Sequence, residues 1–231
     1  MSSGTFGDHF RMHPDTTPLS HDQQRLRQQL RRELRARRRA LTPTAQAHAA
    51  RTLCRQLLRL PGLRRGSHLA AYVASDGEID PAAFLDVILR RGATVWLPVL
   101  ARRPAASAPG MHFARHPGRP AGARRSPRHH PGRHWQTNAY GLREPRNRTR
   151  RAAWQLDAIL LPLVGFDARG QRLGMGGGFY DRLLADLDRR PRRPRLIGLA
   201  HDLQQVDALP VATWDRPVTL VVTGTRVIRA D

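Results

Sequence analysis

Lysine is absent from this sequence, and all 40 basic residues among its 231 are arginines. Mechanisms that depend on a lysine amine are therefore excluded, including a Schiff base and the phosphate-binding lysine of a Walker A loop. Arginine keeps its charge at every physiological pH and grips phosphate or carboxylate groups through a bidentate fork. Anion binding by this chain must therefore rely on arginine and on backbone amides.

Cysteine is nearly absent as well, since Cys54 is the single one. One cysteine excludes a disulfide framework and a cysteine-based zinc site. Cys54 falls in the segment RTLCRQLLRL, which has a helical pattern. We interpret it as a core or half-buried thiol, because free cysteines are usually buried.

Long apolar runs are missing too. The longest, residues 158–166, is far too short to span a bilayer. The N-terminal segment MSSGTFGDHFRMHPD has no apolar run and does not resemble a secretory signal. We therefore expect a cytoplasmic protein that does not bind membranes.

Acidic residues are scarce, 18 against 40 basic ones, and the formal net charge is +22. Such a surface attracts polyanions, which include nucleic acids, nucleotides and polyglutamate tails. Apolar residues are sparse at the N-terminus and around 102–151. We predict a disordered extension at 1–20, then a single domain at 21–231 with a basic insertion rich in Pro, Gly and Arg at about 117–133.

Hydrophobic periodicity organises the rest of the chain. Leu26, Leu30 and Leu34 form a narrow helical stripe from His21 onward, which predicts a helix on the domain surface. Further helices are predicted at about 44–60, 82–92 and 179–189. Apolar runs typical of buried strands lie at 68–75, 94–100, 157–167, 195–201 and 218–228, and 111–115 fits an edge strand. Apolar strands that alternate with helices indicate an α/β fold, a mostly parallel sheet covered on both faces.

The segment RLGMGGGFYDR, residues 172–182, follows the strongest strand candidate. In parallel sheets, ligands bind beyond the carboxyl ends of strands. Glycines at 174 and 176–178 allow backbone amides to face an anion, and the N-terminus of the next helix points to the same place. Arg172 and Arg182 add cationic forks, and Asp181 offers a hard oxygen to Mg²⁺.

This segment matches neither common glycine motif. It lacks the GK[ST] of a P-loop, and the third glycine of G-x-G-x-x-G would fall at Phe179. A glycine-rich turn without any ligand is the alternative. The charged and aromatic residues at 179–182 favour a nucleotide-phosphate site over that alternative.

The same segment, placed after a strand that ends PLVGFD, resembles the signature of the 5-formyltetrahydrofolate cyclo-ligase family. Other segments are similar to the family's blocks, in the same order: LRQQLRRELRARRRALTP, YVASDGEIDP, TVWLPVL, MHF, YGLREP and the block that begins LIGLAHDLQQVDALP. The resemblance covers about 25–228. It implies a Rossmann-like three-layer fold similar to the NagB/RpiA/CoA-transferase-like fold.

The family resemblance also implies a reaction. Such enzymes convert 5-formyltetrahydrofolate, with or without a polyglutamate tail, to 5,10-methenyltetrahydrofolate, with ATP as co-substrate and Mg²⁺ as cofactor. ATP phosphorylates the N5-formyl oxygen, N10 attacks the activated carbon, and phosphate leaves. No protein nucleophile is needed, which agrees with the lack of a convincing Ser-His-Asp or Cys-His arrangement. We expect a monomer that binds nucleic acid at most non-specifically.

Site residues carried over from the family fall on three groups of positions. The ATP site implied by the resemblance comprises Arg27, Arg31, Arg172, Leu173, Gly174, Met175, Gly176, Gly177, Gly178, Phe179 and Tyr180, of which Arg172 and Tyr180 are the catalytic candidates. The implied folate contacts are Val73, Glu78, Met175, Gly176, Gly177, Gly178 and Phe179, and the implied metal ligands are Asp181 and Asp215. Most other arginines of 25–39 are interpreted as a solvated helix face.

Three positions depart from the family pattern. Arg27 replaces the usual lysine, which keeps the charge and changes its geometry. Phe179 replaces a more frequent tyrosine, so ring stacking is retained and a hydroxyl contact is lost. Pro81 replaces a threonine, and any hydroxyl contact there is lost.

Two other functions remain open at this point. A nucleic-acid-binding protein would explain the charge, but the sequence has no helix-turn-helix signature and no aromatic RNA-binding motif. Another ATP-using α/β enzyme would explain the glycine segment. The segment YVASDGEIDP argues against that second alternative.

Overall fold

The fold was analysed in a computed structural model. The structure describes residues 19–63, 65–101, 110–118, 134–146, 149–187, 190–213 and 215–230. The predicted extension lies outside the described residues except for its last two positions, and so does most of the predicted basic insertion.

Four α-helices and twelve β-strands make up the described chain. The helices are α1 His21–Arg39, α2 Pro43–Leu58, α3 Ala82–Arg90 and α4 Phe179–Leu187. The strands are β1 His68–Ala70, β2 Thr94–Leu100, β3 Met111–Arg115, β4 Trp135–Thr137, β5 Arg143–Pro145, β6 Arg150–Arg151, β7 Ala158–Pro162, β8 Gly165–Phe166, β9 Arg172–Leu173, β10 Arg195–Leu199, β11 Leu220–Val222 and β12 Val227–Arg229.

Local sequence explains where the first two helices begin. The Ser20 hydroxyl accepts a hydrogen bond from the Gln23 backbone N–H at 3.2 Å, and the Gln23 side chain accepts one from the Ser20 N–H at 2.9 Å. This capping box satisfies two donors that the first turn would otherwise leave free. Thr42 caps α2 in a similar way, and Pro43 suits its first turn because no donor is lost there.

One eight-stranded sheet forms the centre, in the order β12-β11-β10-β7-β1-β2-β3-β6. The five strands from β11 to β2 are parallel, whereas β12, β3 and β6 are antiparallel to their neighbours. The prediction of a mostly parallel α/β sheet is confirmed. The finer likeness to the NagB/RpiA/CoA-transferase-like fold stays a prediction.

Helices cover both faces of the sheet. Leu69 and Leu160 point to one face, where Leu57 of α2 and Phe84 of α3 complete a buried cluster. The alternate strand positions point to the other face and pack against Leu183, Leu184 and Leu187 of α4. Alternation along each strand therefore divides the core into two layers.

Helix α1 lies at the end of the sheet and belongs to neither layer. Leu34 packs in a small third cluster with Val164, Leu173 and Leu209. The predicted stripe is only partly right, because Leu26 is 45% exposed while Arg27 and Arg38 are buried. Tertiary contacts thus turn a different face of this helix inward from the one its leucines suggest.

Several predicted strands are shorter than expected. The run 157–167 leaves the sheet after Pro162, because buried Gln204 donates to the carbonyl oxygens of Leu163 at 2.6 Å and Val164 at 2.9 Å. The run 218–228 is a hairpin of two strands. The 68–75 strand ends at Ala70.

The segment 111–115 forms strand β3, but β3 is not an edge strand because β6 pairs outside it. Cys54 is half-buried, in agreement with its interpretation, and burial raises the pKa of its thiol. No helix within the described ranges is long and apolar enough to cross a membrane.

Candidate active site

The predicted site residues converge where the parallel strands end. Chain segments leave the sheet there after β1, β7 and β10, and helix α1 lies across them, as its contacts with β8 and with the short helical turn Asp202–Gln204 show. Loops at this edge of a parallel sheet are the usual place for ligands. The placement agrees with the expectation from sequence.

The glycine loop, defined here as residues 174–178, follows a small hairpin instead of the parallel strand itself. Strands β8 and β9 form this hairpin, which was not predicted from the sequence. Gly176 and Gly178 have φ of +94° and +66°, a region that other residues rarely adopt. The loop conformation therefore requires glycine.

Arg31 covers the glycine loop from helix α1. Its Nε donates a hydrogen bond to the Gly174 carbonyl oxygen at 2.9 Å. Partial burial and the neighbouring charge of Arg27 lower the pKa of Arg31, while the carboxylates of Asp181 and Asp215 raise it. The positive charges of α1 and both predicted metal ligands therefore lie around one point.

Arg27 and Asp215 form an ion pair at this point, with side chains only 10% and 6% exposed. Arg27 Nη1 also donates to the Pro210 carbonyl oxygen at 3.2 Å, and Asp215 accepts from the Ala212 N–H at 2.9 Å. The pair attaches α1 to the loop before β11. A guanidinium thus occupies the position where the family has lysine, and it contacts a predicted metal ligand.

Arg172 and Asp181 form a second pair across the glycine loop. Arg172 is buried, and its Nε donates to the Arg216 carbonyl oxygen at 3.0 Å. Asp181 is in the first turn of α4, one third exposed. The two ends of the loop are therefore joined by a charge-assisted contact.

The residues present suit a Mg²⁺ ion that is shared with a nucleotide. Among the described residues, no three His, Cys, Asp or Glu side chains are grouped to hold a metal by themselves. Mg²⁺ commonly uses one or two carboxylates together with phosphate oxygens and water. Asp181 and Asp215 supply such oxygens, and each carboxylate is paired with an arginine.

Glu78 lies on the other side of the glycine loop, after a tight turn at residues 75–78. Asp76 and Gly77 both have positive φ, +51° and +74°, and the Glu78 N–H donates to the Ser75 carbonyl oxygen at 2.9 Å. The Ser75 N–H donates to the Glu78 carboxylate at 3.0 Å. Burial raises the pKa of Glu78, although Ser75 and Arg38 oppose that rise.

Tyr180 lies close enough to both Glu78 and Arg172 for their charges to affect its hydroxyl. Burial raises the pKa of its hydroxyl, and the charge of Glu78 raises it further, while Arg172 lowers it. The tyrosine therefore keeps its proton at neutral pH and remains a hydrogen-bond donor. Its hydroxyl therefore interacts electrostatically with Glu78, a predicted folate contact, and with Arg172, a predicted ATP contact.

Exposed apolar groups flank the site. Val73 is 38% and Met175 51% exposed. Phe179 packs edge-to-face against Tyr140, with ring centroids 5.8 Å apart, and the guanidinium of Arg182 lies 5.2 Å from the Phe179 ring centre. These groups offer a flat ring system both apolar contact and aromatic stacking.

Arg38 is the residue that sequence reasoning missed. It was grouped with the solvated arginines of α1, yet it is fully buried and contacts Asp76, Leu163 and Met175. A signal was available in the spacing. Positions 27, 31, 34 and 38 recur as one helical face, but three of them are arginines, which a search for apolar stripes ignores.

The fold is that of an α/β protein whose predicted site residues gather at the carboxyl edge of its sheet. The family model of the 5-formyltetrahydrofolate cyclo-ligase family matches residues 23–224. The 5-formyltetrahydrofolate cyclo-ligase of Escherichia coli strain K12 is 36% identical over 193 residues, which cover 83% of this chain and 96% of that protein. The Haemophilus influenzae cyclo-ligase is 34% identical over 200 residues, with 86% and 97% covered. The chain belongs to the 5-formyltetrahydrofolate cyclo-ligase family.

Solved structures agree with this assignment. The Aquifex aeolicus 5,10-methenyltetrahydrofolate synthetase superposes with a TM-score of 0.68 at 26% identity, covering 89% of this chain and 93% of that one. A Mycoplasma pneumoniae synthetase superposes with a TM-score of 0.61 at 21% identity and supports the fold. The two alternatives, a nucleic-acid-binding protein and a different ATP-using enzyme, find no support in these comparisons.

Proposed function

We propose that the site at the carboxyl edge of the sheet converts 5-formyltetrahydrofolate to 5,10-methenyltetrahydrofolate at the expense of ATP. Family membership over residues 23–224 supports the reaction. The single observation that supports the location is the contact of Arg31 with the glycine loop, beside both predicted metal ligands. Arginines, backbone amides of the loop and carboxylates lie near one another there, and these are the groups that bind a nucleoside triphosphate and its metal ion.

The chemistry needs placement more than it needs a reactive side chain. The formyl group on N5 is an amide, whose oxygen is a poor leaving group. The γ-phosphoryl group of ATP moves to that oxygen and ADP remains. N10 then forms a bond to the formyl carbon, the carbon–oxygen bond breaks, phosphate leaves, and N10 loses its proton. The protein accelerates these steps by orientation and charge stabilisation.

Arg27, Arg31 and the segment 172–180 would bind ATP. In the proposed site the backbone amides of the glycine loop, where Gly176 and Gly178 have positive φ, would face the phosphates. Arg31 holds the loop in place through its hydrogen bond with Gly174. Arg172 would neutralise charge on the transferring phosphoryl group. Tyr180 would donate its proton-bearing hydroxyl to an oxygen of the same group.

Glu78 and the apolar groups would bind the folate. A buried carboxylate accepts hydrogen bonds from the N–H groups of a reduced pterin, and Val73, Met175 and Phe179 contact its flat ring. With these contacts the pterin would lie beside the glycine loop. The formyl oxygen would then lie near the γ-phosphate.

Asp181 and Asp215 would hold Mg²⁺ together with phosphate oxygens of ATP. The ion would supply positive charge that neutralises the phosphates and keeps them in line for transfer. Arg27 and Arg172 orient the two carboxylates before the nucleotide arrives, through the ion pairs described above.

We also propose that the protein acts in the cytoplasm as a monomer and accepts polyglutamylated substrate. The net charge of +22 would favour an anionic tail. Gel filtration at two ionic strengths checks the monomeric state. A comparison of KM between monoglutamate and polyglutamate forms of the substrate checks the acceptance of polyglutamylated substrate.

The decisive experiment mixes the purified chain with 5-formyltetrahydrofolate and Mg-ATP and follows the near-ultraviolet absorbance of the methenyl product. Absence of ATP-dependent product from folded protein would contradict the proposed function. Asp181→Ala and Arg172→Ala should each remove most of the turnover while circular dichroism stays unchanged. Full activity in both variants would place the reaction elsewhere.

A further inference from the structure

Helix α1 buries an entire arginine, Arg38, where three parts of the site meet. Its Nε donates to the Asp76 carbonyl oxygen at 2.9 Å, and its Nη2 donates to the Asp76 carboxylate at 2.8 Å. Its Nη1 donates to the Leu163 carbonyl oxygen at 3.2 Å. The same Nη2 lies 3.8 Å from Oε1 of Glu78 and 3.9 Å from the sulfur of Met175. One guanidinium therefore touches the Glu78 turn, the end of β7 and the glycine loop.

The backbone of Arg38 is packed against the same turn. A Cβ on Gly77 would lie 3.0 Å from the Arg38 carbonyl oxygen, so only glycine allows this approach. The Gln46 side-chain amide donates to the carbonyl oxygens of both Arg38 and Gly77, each at 3.2 Å. Backbone and side chain of Arg38 thus hold the turn from two directions.

Neighbouring arginines share only one of these contacts, the one with the Asp76 carboxylate. Arg35 and Arg39 also bind the Asp76 carboxylate, at 2.8 Å and 3.1 Å. Their side chains are 33% and 52% exposed, whereas that of Arg38 is completely buried. In the described contacts Arg35 and Arg39 reach neither the end of β7 nor the glycine loop. Replacement of Arg35 removes one partner of Asp76 at the surface and therefore serves as a matched control.

A buried charge is costly unless it is fully paired, so the protein must hold Arg38 and its partners in one arrangement. Glu78 and Met175 come from segments almost a hundred positions apart, and they belong to the folate side and the glycine loop. A rigid fork between them limits how far one can move relative to the other.

We propose that Arg38 is a positioning residue for the reaction, which fixes the distance between the Glu78 turn and the glycine loop and so aligns folate with ATP. Arg38 acts through Glu78 and Met175, and the inference rests on the proposed roles of those two residues. It contacts the reacting atoms at no point, because its guanidinium is enclosed by protein groups.

The test is a kinetic comparison of the full chain carrying Arg38→Lys, Arg38→Met or Asp76→Asn. We expect Arg38→Met to raise the KM for 5-formyltetrahydrofolate about tenfold and to lower kcat about tenfold, with the KM for ATP changed less than about threefold. Asp76→Asn keeps a residue that tolerates positive φ and should show the same pattern more weakly. Arg38→Lys keeps the charge, loses the fork, and should recover only part of the loss.

Arg35→Met and Arg37→Met are the controls, and both should stay within about twofold of wild type, as surface changes usually do. A purely structural role predicts lower resistance to urea with an unchanged ratio of the two KM values at temperatures where the variants are folded. That result would overturn the inference. Should Arg38→Met not fold, Arg38→Lys and Asp76→Asn decide the question by the same ratio.

Glu78→Gln separates this inference from the proposed function. An unchanged folate KM in Glu78→Gln would show that the proposed folate side is wrong, whatever Arg38 does. A raised folate KM in Glu78→Gln, with Arg38→Lys and Asp76→Asn no different from Arg35→Met, would leave the proposed function standing and contradict the positioning role alone.

Discussion

Arg31 and Gly174 are 143 positions apart in the chain, and the Nε of Arg31 donates to the Gly174 carbonyl oxygen at 2.9 Å. This hydrogen bond would make helix α1 one wall of the proposed nucleotide site. The peptide orientation at Gly174 directs how the following amides of the glycine loop are presented. In the proposed site, ATP binding would therefore depend on a helix that precedes every strand of the sheet.

Loss of the Arg31 side chain should weaken ATP use specifically. We expect Arg31→Met to lower kcat/KM for ATP about a hundredfold, since preorganised donors to a transferring phosphoryl group have effects of about that size. Initial rates of product absorbance at varied ATP measure it. Arg32→Met, at an exposed neighbouring position, is the control and should behave as wild type. Equal losses in both variants would point to the general charge of α1 instead.

Asp181 and Asp215 should determine the magnesium requirement. We expect Asp181→Asn and Asp215→Asn to raise the Mg²⁺ concentration for half-maximal rate by about tenfold or more, because each removes a hard oxygen ligand. Titration of Mg²⁺ at fixed ATP gives this value. Asp207→Asn changes an exposed carboxylate in the loop that leads to Asp215 and should leave the titration curve in place. An unshifted curve in the first two variants would remove them from the metal site.

Glu78 should give the folate reaction an acid limb. Burial raises the pKa of its carboxyl, so the carboxylate takes up a proton as the pH falls, and at a higher pH than an exposed glutamate would. If pterin binding needs the ionised form, kcat/KM for 5-formyltetrahydrofolate should decline on the acid side. Glu78→Gln should have a lower maximum and no such decline. An identical acid limb in wild type and variant would assign the titration to another group.

Gln204 should matter for stability and little for chemistry. Its amide donates to the carbonyl oxygens of Leu163 and Val164, and its oxygen accepts from the His201 N–H at 2.8 Å. Because the side chain is completely buried, Gln204→Ala removes this partner from the Val164 carbonyl and the His201 N–H and leaves the Leu163 carbonyl with Arg38 alone. It should lower the free energy of unfolding by about 3 kcal/mol.

Urea unfolding followed by circular dichroism measures the effect of Gln204→Ala as a lower midpoint at constant slope. Gln205→Ala removes a hydrogen bond that the exposed side chain of Arg226 donates. This change should lower the free energy of unfolding by less than about 0.5 kcal/mol. A midpoint in Gln204→Ala that equals the one in Gln205→Ala would show that the bend after β7 needs no side-chain support.

Much of the architecture was predictable because local patterns are strong. Ser20 and Thr42 cap the first two helices where the sequence suggests, and apolar runs mark the parallel strands. The bend after Pro162 was not predictable. Residues 163–166 are as apolar as the strand before them, and the carbonyl groups of Leu163 and Val164 leave the sheet to accept from the distant side chains Gln204 and Arg38.

The glycine loop shows the same division within the site. Its motif predicted a phosphate-binding segment, which stays a prediction. The ordered blocks along the chain identified the family, and the comparisons confirm that identification. The intervening β8–β9 hairpin was missed because its strands are two residues each, too short for any periodicity. The assignment of individual residues to ATP, folate and Mg²⁺ stays a prediction.

By itself, the sequence determined the class of fold, the glycine segment and the family, because each depends on residue types at short spacing. Only the tertiary structure decided which arginines of α1 face inward. Arg27, Arg31 and Arg38 look identical to their solvated neighbours in the sequence. Their burial depends on acceptors at Asp215, Gly174 and Asp76 that the fold brings to the helix from distant parts of the chain.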